Sequence, residues 1–189
     1  MQGETVVDFS CGDSFTLFMT EKKITSQSDQ AADSSSSCIL QSIFSCGLNS
    51  SGQCGHPVLP STKIDPERLG EDRIKAPTKI SLPKSLLKGI AQFSAGVEHS
   101  LFLSSKTGFV YQCGGPGHKS SACQEVLINE PICKIEASLH SAALSFNGNL
   151  YLWSHENSTR PNTQIKNVKD ISLSKDFAII VDNSDKKFC

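Results

Sequence analysis

The fold is decided by the stretch Ile90–Gly114, which reads IAQFSAGVEHSLFLSSKTGFVYQCG. Its apolar runs flank a polar turn that ends at Gly108, and this arrangement predicts a β-hairpin. A pair of small residues, Ala95-Gly96, and a histidine, His99, stand within the stretch. The hairpin is therefore the unit to look for elsewhere in the chain.

Related stretches recur along the chain, which indicates a repeat architecture. They start near Val6, Ile90, Ile132 and Val168. The third contains Asn147-Gly148 between two β-rich runs, a strong hairpin signal. The starts are separated by 84, 42 and 36 residues, and the two shorter spacings lie near the ~40–50 residues of a four-stranded propeller blade.

The composition is that of a globular protein with no dominant charge. The chain has 189 residues, of which 38% are hydrophobic and 20% charged, and its formal net charge is −1. We predict a single repeat domain over residues 1–189 and no nucleic-acid surface. No apolar run approaches the ~18–20 residues that span a bilayer, and residues 1–9 lack the apolar core of a signal peptide. We therefore expect an intracellular protein, cytoplasmic or nuclear, without membrane contact.

The eight cysteines are predicted to be reduced. Cys11, Cys46 and Cys113 each precede a glycine within or at the end of an apolar run, where a thiol behaves as a small hydrophobic side chain. No Cys-x-x-Cys pair occurs, so the usual spacing of a zinc site is missing. Disulfides are the less favoured alternative without a secretion signal. We predict no metal and no cofactor.

Two segments interrupt the first repeat. Residues 21–38 are rich in serine and contain too few apolar groups to offset the entropy of ordering. We predict an exposed inserted loop there, and phosphorylation of this loop is a less favoured alternative. Residues 57–89 are predicted to be a proline-rich connector, because their prolines exclude a continuous helix. Within it, residues 76–80 should lead into an edge strand, where proline is tolerated.

Two features could be interpreted as chemical sites. The glycine-rich stretch Gly47–Gly55 could cradle a phosphate, but it lacks the Gly-Lys-Ser/Thr ending and the following helix. His99 and His140 could be catalytic or metal-binding, but they recur at one repeat position, so a structural hydrogen-bonding role is favoured. Trp153 and Tyr151 are expected in the core. We predict no catalytic, cofactor-binding or metal-binding residue, and the sequence names no partner-binding residue.

The recurring stretches of the sequence resemble the repeats of the regulator-of-chromosome-condensation (RCC1) family of β-propellers. Residues 93–103 match the small-Ala-Gly, x-x, His-Ser and apolar run of those repeats. Residues 108–114 match the turn glycine and the aromatic-x-Trp-Gly strand, with Cys113 in place of tryptophan. Residues 148–154 match the same strand, with Ser154 in place of glycine. The resemblance is thus most specific in the second repeat.

The resemblance weakens toward both ends of the chain. Residues 49–55 match the motif Asn-x-x-Gly-Gln-Leu-Gly, with Cys54 in place of leucine. Phe15 and Phe177 replace the histidine, and Ser174 replaces the glycine. The resemblance implies an all-β fold of propeller blades. Family members usually close seven blades, whereas this chain supplies three units and part of a fourth. We therefore expect an incomplete or truncated ring that needs a partner or further repeats to close.

Two functions of different classes follow from the resemblance. The first is a non-catalytic scaffold for protein–protein interaction, since propellers carry binding residues at the ends of a rigid framework. The alternative is guanine-nucleotide exchange on a small Ran-like GTPase, or part of that activity, because the founding family member has it and docks on chromatin. Fold does not fix function, and no exchange-specific residue is matched. We predict a protein partner, a small GTPase or another complex subunit, and no enzymatic activity.

Overall fold

The computed structural model describes residues 3–25, 37–59, 72–115, 122–154, 161, 163–183 and 187–188. These residues form four antiparallel sheets and no helix, which confirms the all-β prediction. None of these elements is therefore a helix long and apolar enough to cross a membrane. The sheets follow the chain in order, and in each one every strand pairs with the next along the chain. We name them blades 1 to 4.

The strands have the following bounds. Blade 1 contains β1 (Thr5–Cys11), β2 (Phe15–Thr25), β3 (Ser37–Leu48) and β4 (Arg73–Lys79). Blade 2 contains β5 (Ile90–Ala95), β6 (His99–Ser104), β7 (Val110–Gly114) and β8 (Gln124–Glu125). Blade 3 contains β9 (Ile132–Ala137), β10 (His140–Ser145), β11 (Leu150–Ser154) and β12 (Thr163–Ile165). The described part of blade 4 contains β13 (Val168–Leu173), β14 (Ala178–Asp182) and β15 (Lys187–Phe188).

One shared irregularity fixes the register of the repeat. The first strand of each blade has a one-residue register shift against its second strand, located at Val7, Ala91, Cys133 and Lys169. Such a bulge determines which side chains face which side of the sheet. The residues immediately before it are the repeat starts predicted from the sequence. The four blades can therefore be compared position by position.

Among the described residues the core forms three apolar clusters, one at each junction between consecutive blades. Phe15 and Leu17 of blade 1 pack with Phe93 and Phe102 of blade 2. The second cluster joins blade 2 to blade 3 through residues that include Leu101, Leu103, Ile135 and Trp153. The third joins blade 3 to blade 4 through residues that include Ala142, Leu144, Val168 and Ile171. Each inner sheet therefore buries side chains on both faces, as propeller blades do.

The two interruptions of blade 1 differ in part from the predictions. The predicted loop over 21–38 is wrong at its ends, because β2 and β3 pair from Glu21↔Gln41 to Thr25↔Ser37. Backbone pairing extends this hairpin although its side chains are largely polar, and residues 26–36 lie outside the described residues. In the connector 57–89, β4 is the outermost strand and contains Pro77, which confirms the expected edge strand. Residues 60–71 lie outside the described residues.

One pair of cysteines corrects the prediction of reduced thiols. Cys113 and Cys123 form a disulfide, with their Cα atoms 4.4 Å apart. Gln112↔Gln124 is a cross-strand pair of β7 and β8, so the neighbouring Cys113 and Cys123 stand directly opposite each other. That separation is typical of a non-hydrogen-bonded antiparallel pair. The free cysteines among the described residues are Cys11, Cys38, Cys46, Cys54 and Cys133.

Candidate interaction surfaces

A polar cluster with the residue types of a catalytic site lies in blade 1, in the turn after β3. Ser45 Oγ donates to the Cys54 carbonyl at 2.8 Å and lies 3.1 Å from His56 Nε2. Asn49 Nδ2 donates to Asp72 Oδ2 at 3.2 Å. Sequence reasoning missed this cluster because Asp72 reaches it only through the pairing of β4 with β3.

The geometry makes this cluster structural. Ser45 is fully buried, so its hydroxyl is closed to a substrate, and an activated nucleophile must be reachable. Burial lowers the pKa of His56 and raises the pKa of Cys54 to about 12, so both side chains are neutral near pH 7. The cluster holds the turn against β4 rather than presenting reactive groups.

Backbone amides of the glycine-rich turn Gly47–Gly55 form hydrogen bonds within the turn itself. Gly52 and Gly55 have φ of +75° and +70°, which glycine adopts without strain. Four amides of the turn donate to acceptors within it, those of Ser51, Gly52, Cys54 and Gly55. An anion-binding nest requires such amides to point together at a ligand. The phosphate-loop interpretation therefore has no support in this turn.

His99 has the structural role predicted for it. The side chain is fully buried, and its Nε2 lies 2.8 Å from Ser141 Oγ. This hydrogen bond joins blade 2 to blade 3. In the same junction the Trp153 indole donates to Gln112 Oε1 at 2.9 Å. Trp153 is 1% exposed, which confirms its predicted place in the core.

The same prediction is wrong for His140, which is exposed. In blade 4 the residue equivalent to Ser141 is Ala178, which has no hydroxyl to pair with the imidazole. His140 instead lines an open cleft of about 380 Å³ between blades 3 and 4, together with Trp153, Phe177 and Ala178. Phe15 fills the equivalent place between blades 1 and 2, where it is buried. The cleft is thus an unfilled part of a blade junction.

Polar side chains also link the first strands of consecutive blades. Ser10 Oγ accepts from the Ala95 amide at 3.0 Å, and Ser94 Oγ accepts from the Ala137 amide at 3.0 Å. Ser10 and Ser94 are equivalent residues, as are Ala95 and Ala137. The contact therefore repeats from one junction to the next, and it marks which residue of one blade meets which residue of its neighbour.

Lys134 links the first strands of blades 3 and 4. Its ammonium group donates to the Ile171 carbonyl at 2.6 Å and to Asp170 Oδ1 at 2.7 Å. The hydrogen bond from Lys134 lowers the pKa of Asp170. Burial alone would lower the pKa of Lys134, but the hydrogen bond and charge of Asp170 raise it. Both groups are therefore charged at neutral pH.

Blade 1 exposes the face that blades 2 to 4 bury against a preceding blade, and we call this face the leading face. Phe9 is 68% exposed. The residues at the same position in blades 2 to 4 are at most 6% exposed, namely Phe93, Ile135 and Ile171. Phe18 and Phe44 are cross-strand partners in line with Phe9, and their rings stack with centroids 6.0 Å apart. Phe9 is thus the open end of an aromatic row on this face, in which Phe18 is half-buried and Phe44 is buried.

Blade 4 exposes the opposite face, which we call the trailing face. Ile179 is 43% exposed, whereas each equivalent residue is fully buried, namely Leu17, Leu101 and Ala142. Phe177 is 64% exposed, whereas Phe15 at the same position of blade 1 is 4% exposed. The stack therefore ends in two apolar faces. Among the described residues, no group of three or more His, Cys, Asp or Glu side chains is placed to hold a metal ion.

Comparison with known proteins identifies the repeat. Residues 42–103 match the family model described as the regulator of chromosome condensation (RCC1) repeat. These residues run from β3 of blade 1 to β6 of blade 2. The chain thus carries an RCC1 repeat, and the resemblance drawn from the sequence is confirmed. A comparison with curated protein sequences finds no match.

Solved structures share the fold. The crystal structure of human WBSCR16 aligns with 95% of this chain and 60% of its own, at 17% identity and a TM-score of 0.60. A chain from the crystal structure of Kap60 bound to yeast RCC1 (Prp20) aligns with 93% of this chain and 53% of its own, at 17% identity and a TM-score of 0.57. At these identities the likeness shows the fold alone, and it confirms RCC1-like propeller blades. This chain spans less than two thirds of either relative.

Proposed function

We propose that this chain is a non-catalytic scaffold that binds proteins through the leading face of blade 1 and the trailing face of blade 4. The observation that carries the proposal is the exposure of Phe9, 68% against at most 6% at the same position of the other blades. Phe177 repeats the contrast at the other end. The proposal includes one repeat domain over residues 1–189, working in the cytoplasm or nucleus.

The free energy of apolar burial favours the binding of a partner to these two faces. Burying a large apolar side chain contributes roughly 1.5–3 kcal/mol, and contiguous exposed apolar patches mark interaction sites. Each end face repeats the chemistry of three junctions that are already closed within the chain. A partner that offers a flat, apolar sheet face therefore fits these surfaces better than a small molecule does.

Guanine-nucleotide exchange on a small Ran-like GTPase is the second candidate. It is supported by the RCC1 repeat. It is also supported by the structural likeness to a chain in the crystal structure of Kap60 bound to yeast RCC1 (Prp20). A protein partner is common to both candidates. The polar cluster around Ser45 and His56 does not favour exchange, because it is occupied by contacts within blade 1.

Two measurements separate the candidates. Release of fluorescent GDP from a purified Ran-type GTPase should be unchanged by the chain, and acceleration would favour exchange instead. Cross-linking in cells followed by mass spectrometry should place partner cross-links near the end faces. The purified partner should then bind the wild type and the Phe146→Asp variant, which alters a 73% exposed phenylalanine away from both faces. The same partner should not bind the Phe9→Asp variant. Equal binding to the Phe146→Asp and Phe9→Asp variants would contradict the proposal.

A further inference from the structure

We propose that the extended hairpin of β2 and β3 is a strand-addition site, where an extended acidic segment of another protein pairs with the open edge of β3. We call the described part of this extension, residues 21–25 and 37–41, the arm. The site consists of backbone groups along a strand edge, so it differs from the two end faces of the proposed function. It lies within blade 1 and does not depend on how the ends of the blade stack are closed.

The strand β3 continues beyond its neighbour on one side. β4 ends at Lys79, and the amide that follows it, of Ile80, donates to the Ile43 carbonyl at 2.9 Å. On the other side, β2 continues to pair with β3 as far as Ser37. Among the described residues, the segment Cys38–Ser42 therefore has a neighbouring strand on one side only.

The backbone groups on the open side are those of Ile39 and Gln41. In an antiparallel sheet the amide and carbonyl of one residue face the same side of the strand, and successive residues face opposite sides. Because the Ile43 carbonyl faces the β4 side, the residues two and four positions before it face that side as well. Two amides and two carbonyls thus lie along the open edge, which is the arrangement that an added strand requires.

The open edge lacks the features that protect other sheet edges of the chain. Proteins shield exposed edges with short strands, lysine or proline. β4, the outermost strand of blade 1, contains Lys75, Pro77 and Lys79, and the outermost strands of blades 2 and 3, β8 and β12, have two and three residues. Residues 38–42 contain neither a charged residue nor a proline. Of these edges, that of β3 is therefore the best suited to accept a strand.

Apolar side chains flank the open edge on both faces of the arm. Ile39 is 57% exposed and Leu40 is 40% exposed, and successive residues of a strand point to opposite faces. Ile24 lies on the same face as Leu40 through its cross-strand partner Cys38, and it is also 40% exposed. An added strand would cover apolar surface on both faces, which favours binding. The occupant is therefore a segment with apolar or β-branched side chains on both faces.

Two lysines determine the charge of the occupant. Lys22 and Lys23 are exposed, and they pair across the arm with Leu40 and Ile39, so each face of the arm carries one. A strand added to β3 lies two strand spacings from β2, about 10 Å, which is about one Debye length at 0.1 M salt. A second copy of the chain would bring the same two lysines to this edge. Charge complementarity therefore favours a partner segment that carries carboxylates.

The base of the arm is fixed to blade 2. Gln41 Nε2 donates to Glu21 Oε1 at 3.1 Å, and Gln41 Oε1 accepts from the Ile90 amide at 3.0 Å. The edge is thus formed before a partner arrives, which reduces the ordering cost of binding.

The first test measures peptide binding to the intact chain. The probe is a seven-residue peptide of alternating valine and threonine with a glutamate at each end, N-methylated at its valines so that one edge can pair and self-assembly is blocked. It should bind the wild type saturably at concentrations up to about 1 mM, and the peptide N-methylated at every residue should not bind. A peptide with a lysine at each end should bind about two- to fivefold more weakly. No binding of the probe, or equal binding of the glutamate and lysine peptides, would overturn the proposal.

The second test uses two variants of one residue. Ile39→Pro removes an amide that faces the open edge and leaves the hydrogen bonds to β2 in place, so it should weaken binding of the probe about tenfold or more. Ile39→Thr keeps the amide and the β-branched shape, and it should change binding less than about threefold. Thermal unfolding shows whether both variants fold. Equal binding to the two variants would overturn the edge pairing.

The third test needs no variant. With the probe at ten times its dissociation constant, exchange of the Ile39 and Gln41 amides should slow about tenfold. Exchange of the Leu40 amide, which already pairs with β2, should change little. Absence of protection at Ile39 and Gln41 would overturn the proposal.

A final measurement distinguishes the partner from a second copy. Light scattering should give the same mass, 20.4 kDa, for the wild type and for Ile39→Pro. A wild-type dimer that Ile39→Pro dissociates would place a second copy on this edge and would overturn the acidic partner. The proposed function is judged separately, by partner binding to Phe9→Asp.

Discussion

Ser141 Oγ and His99 Nε2 lie 2.8 Å apart across the junction of blades 2 and 3, and both side chains are fully buried. Removing the hydroxyl with Ser141→Ala leaves the imidazole nitrogen without this partner in a dry environment. We expect a loss of about 1–3 kcal/mol in the free energy of unfolding, measured by urea denaturation. Ser174→Ala, at an exposed serine, is the matched control. Equal stability of the two variants would show that the hydrogen bond has no structural weight.

Gly96 has no room for a side chain. A Cβ atom at this position would lie 2.6 Å from the Ser138 carbonyl oxygen and 2.8 Å from Cε1 of His99. Gly96→Val should therefore force blades 2 and 3 apart and cost about 1–3 kcal/mol, seen as a lower midpoint of thermal unfolding. Ala91→Val adds the same bulk at an exposed position of the same strand and should change the midpoint little. An unchanged midpoint for Gly96→Val would contradict the placement of this turn.

Asp170 makes the stability of the junction between blades 3 and 4 dependent on pH. The hydrogen bond from Lys134 lowers the pKa of Asp170 in the folded chain. A carboxyl group with a lowered folded pKa stabilises the fold above its unfolded pKa of about 3.9, and loses that contribution as the pH falls through the folded pKa. Asp170→Asn should therefore cost about 0.2–1 kcal/mol at pH 7, the range for exposed ion pairs.

The cost of Asp170→Asn should shrink as the pH falls below the unfolded pKa of about 3.9, and it should vanish once the carboxyl is protonated in the folded chain. Urea denaturation at pH 7 and at a series of lower pH values gives the comparison. Asp176→Asn, which alters another exposed carboxylate of blade 4, is the control. A difference between wild type and Asp170→Asn that stays the same throughout the acid series would refute the ion-pair explanation.

Cys54 should be the least reactive free thiol in blade 1. Burial raises its pKa to about 12, and its Sγ lies 3.2 Å from the Leu48 carbonyl oxygen. The nucleophilic species is the thiolate, so alkylation of Cys54 at pH 8 should wait for unfolding. The exposed Cys11 and Cys38 should react in the folded chain. Mass spectrometry after brief iodoacetamide treatment, with and without urea, measures this; labelling of all three at similar rates would be inconsistent with the buried turn.

The repeat and its register could be predicted from the sequence because they depend on local signals. Ala95-Gly96, His99 and Gly108 mark the turns of one hairpin, and Asn147-Gly148 marks another. Alternating apolar residues then assign each strand a buried face, and the structure places Phe93 and Leu101 on opposite faces of one blade. Residues that are close together in the sequence are therefore sufficient to predict hairpins and strands.

Features that depend on contacts between distant segments could not be predicted. The disulfide of Cys113 requires the edge pairing of β8 with β7, and the Ser45–Asp72 cluster requires the pairing of β4 with β3. A serine follows His140 as one follows His99, but the next blade offers Ala178 where Ser141 offers a hydroxyl, and His140 is exposed. The extension of β2 and β3 could not be predicted from composition either. Its side chains are largely polar, and the backbone pairing of the two strands extends it.

The most direct measurement of the central claim is residue-resolved amide hydrogen exchange with and without the purified protein partner. The amides of Ala95 and Ala137 donate to serines of the preceding blade, and Cys11 is their equivalent on the open face of blade 1. Protection of the Ala95 and Ala137 amides should be high in both samples, whereas that of the Cys11 amide should be low in the free chain and rise when the partner covers the leading face. Rapid exchange of the Cys11 amide in both samples, or rapid exchange of the Ala95 and Ala137 amides, would contradict the partner-binding role proposed for the leading face.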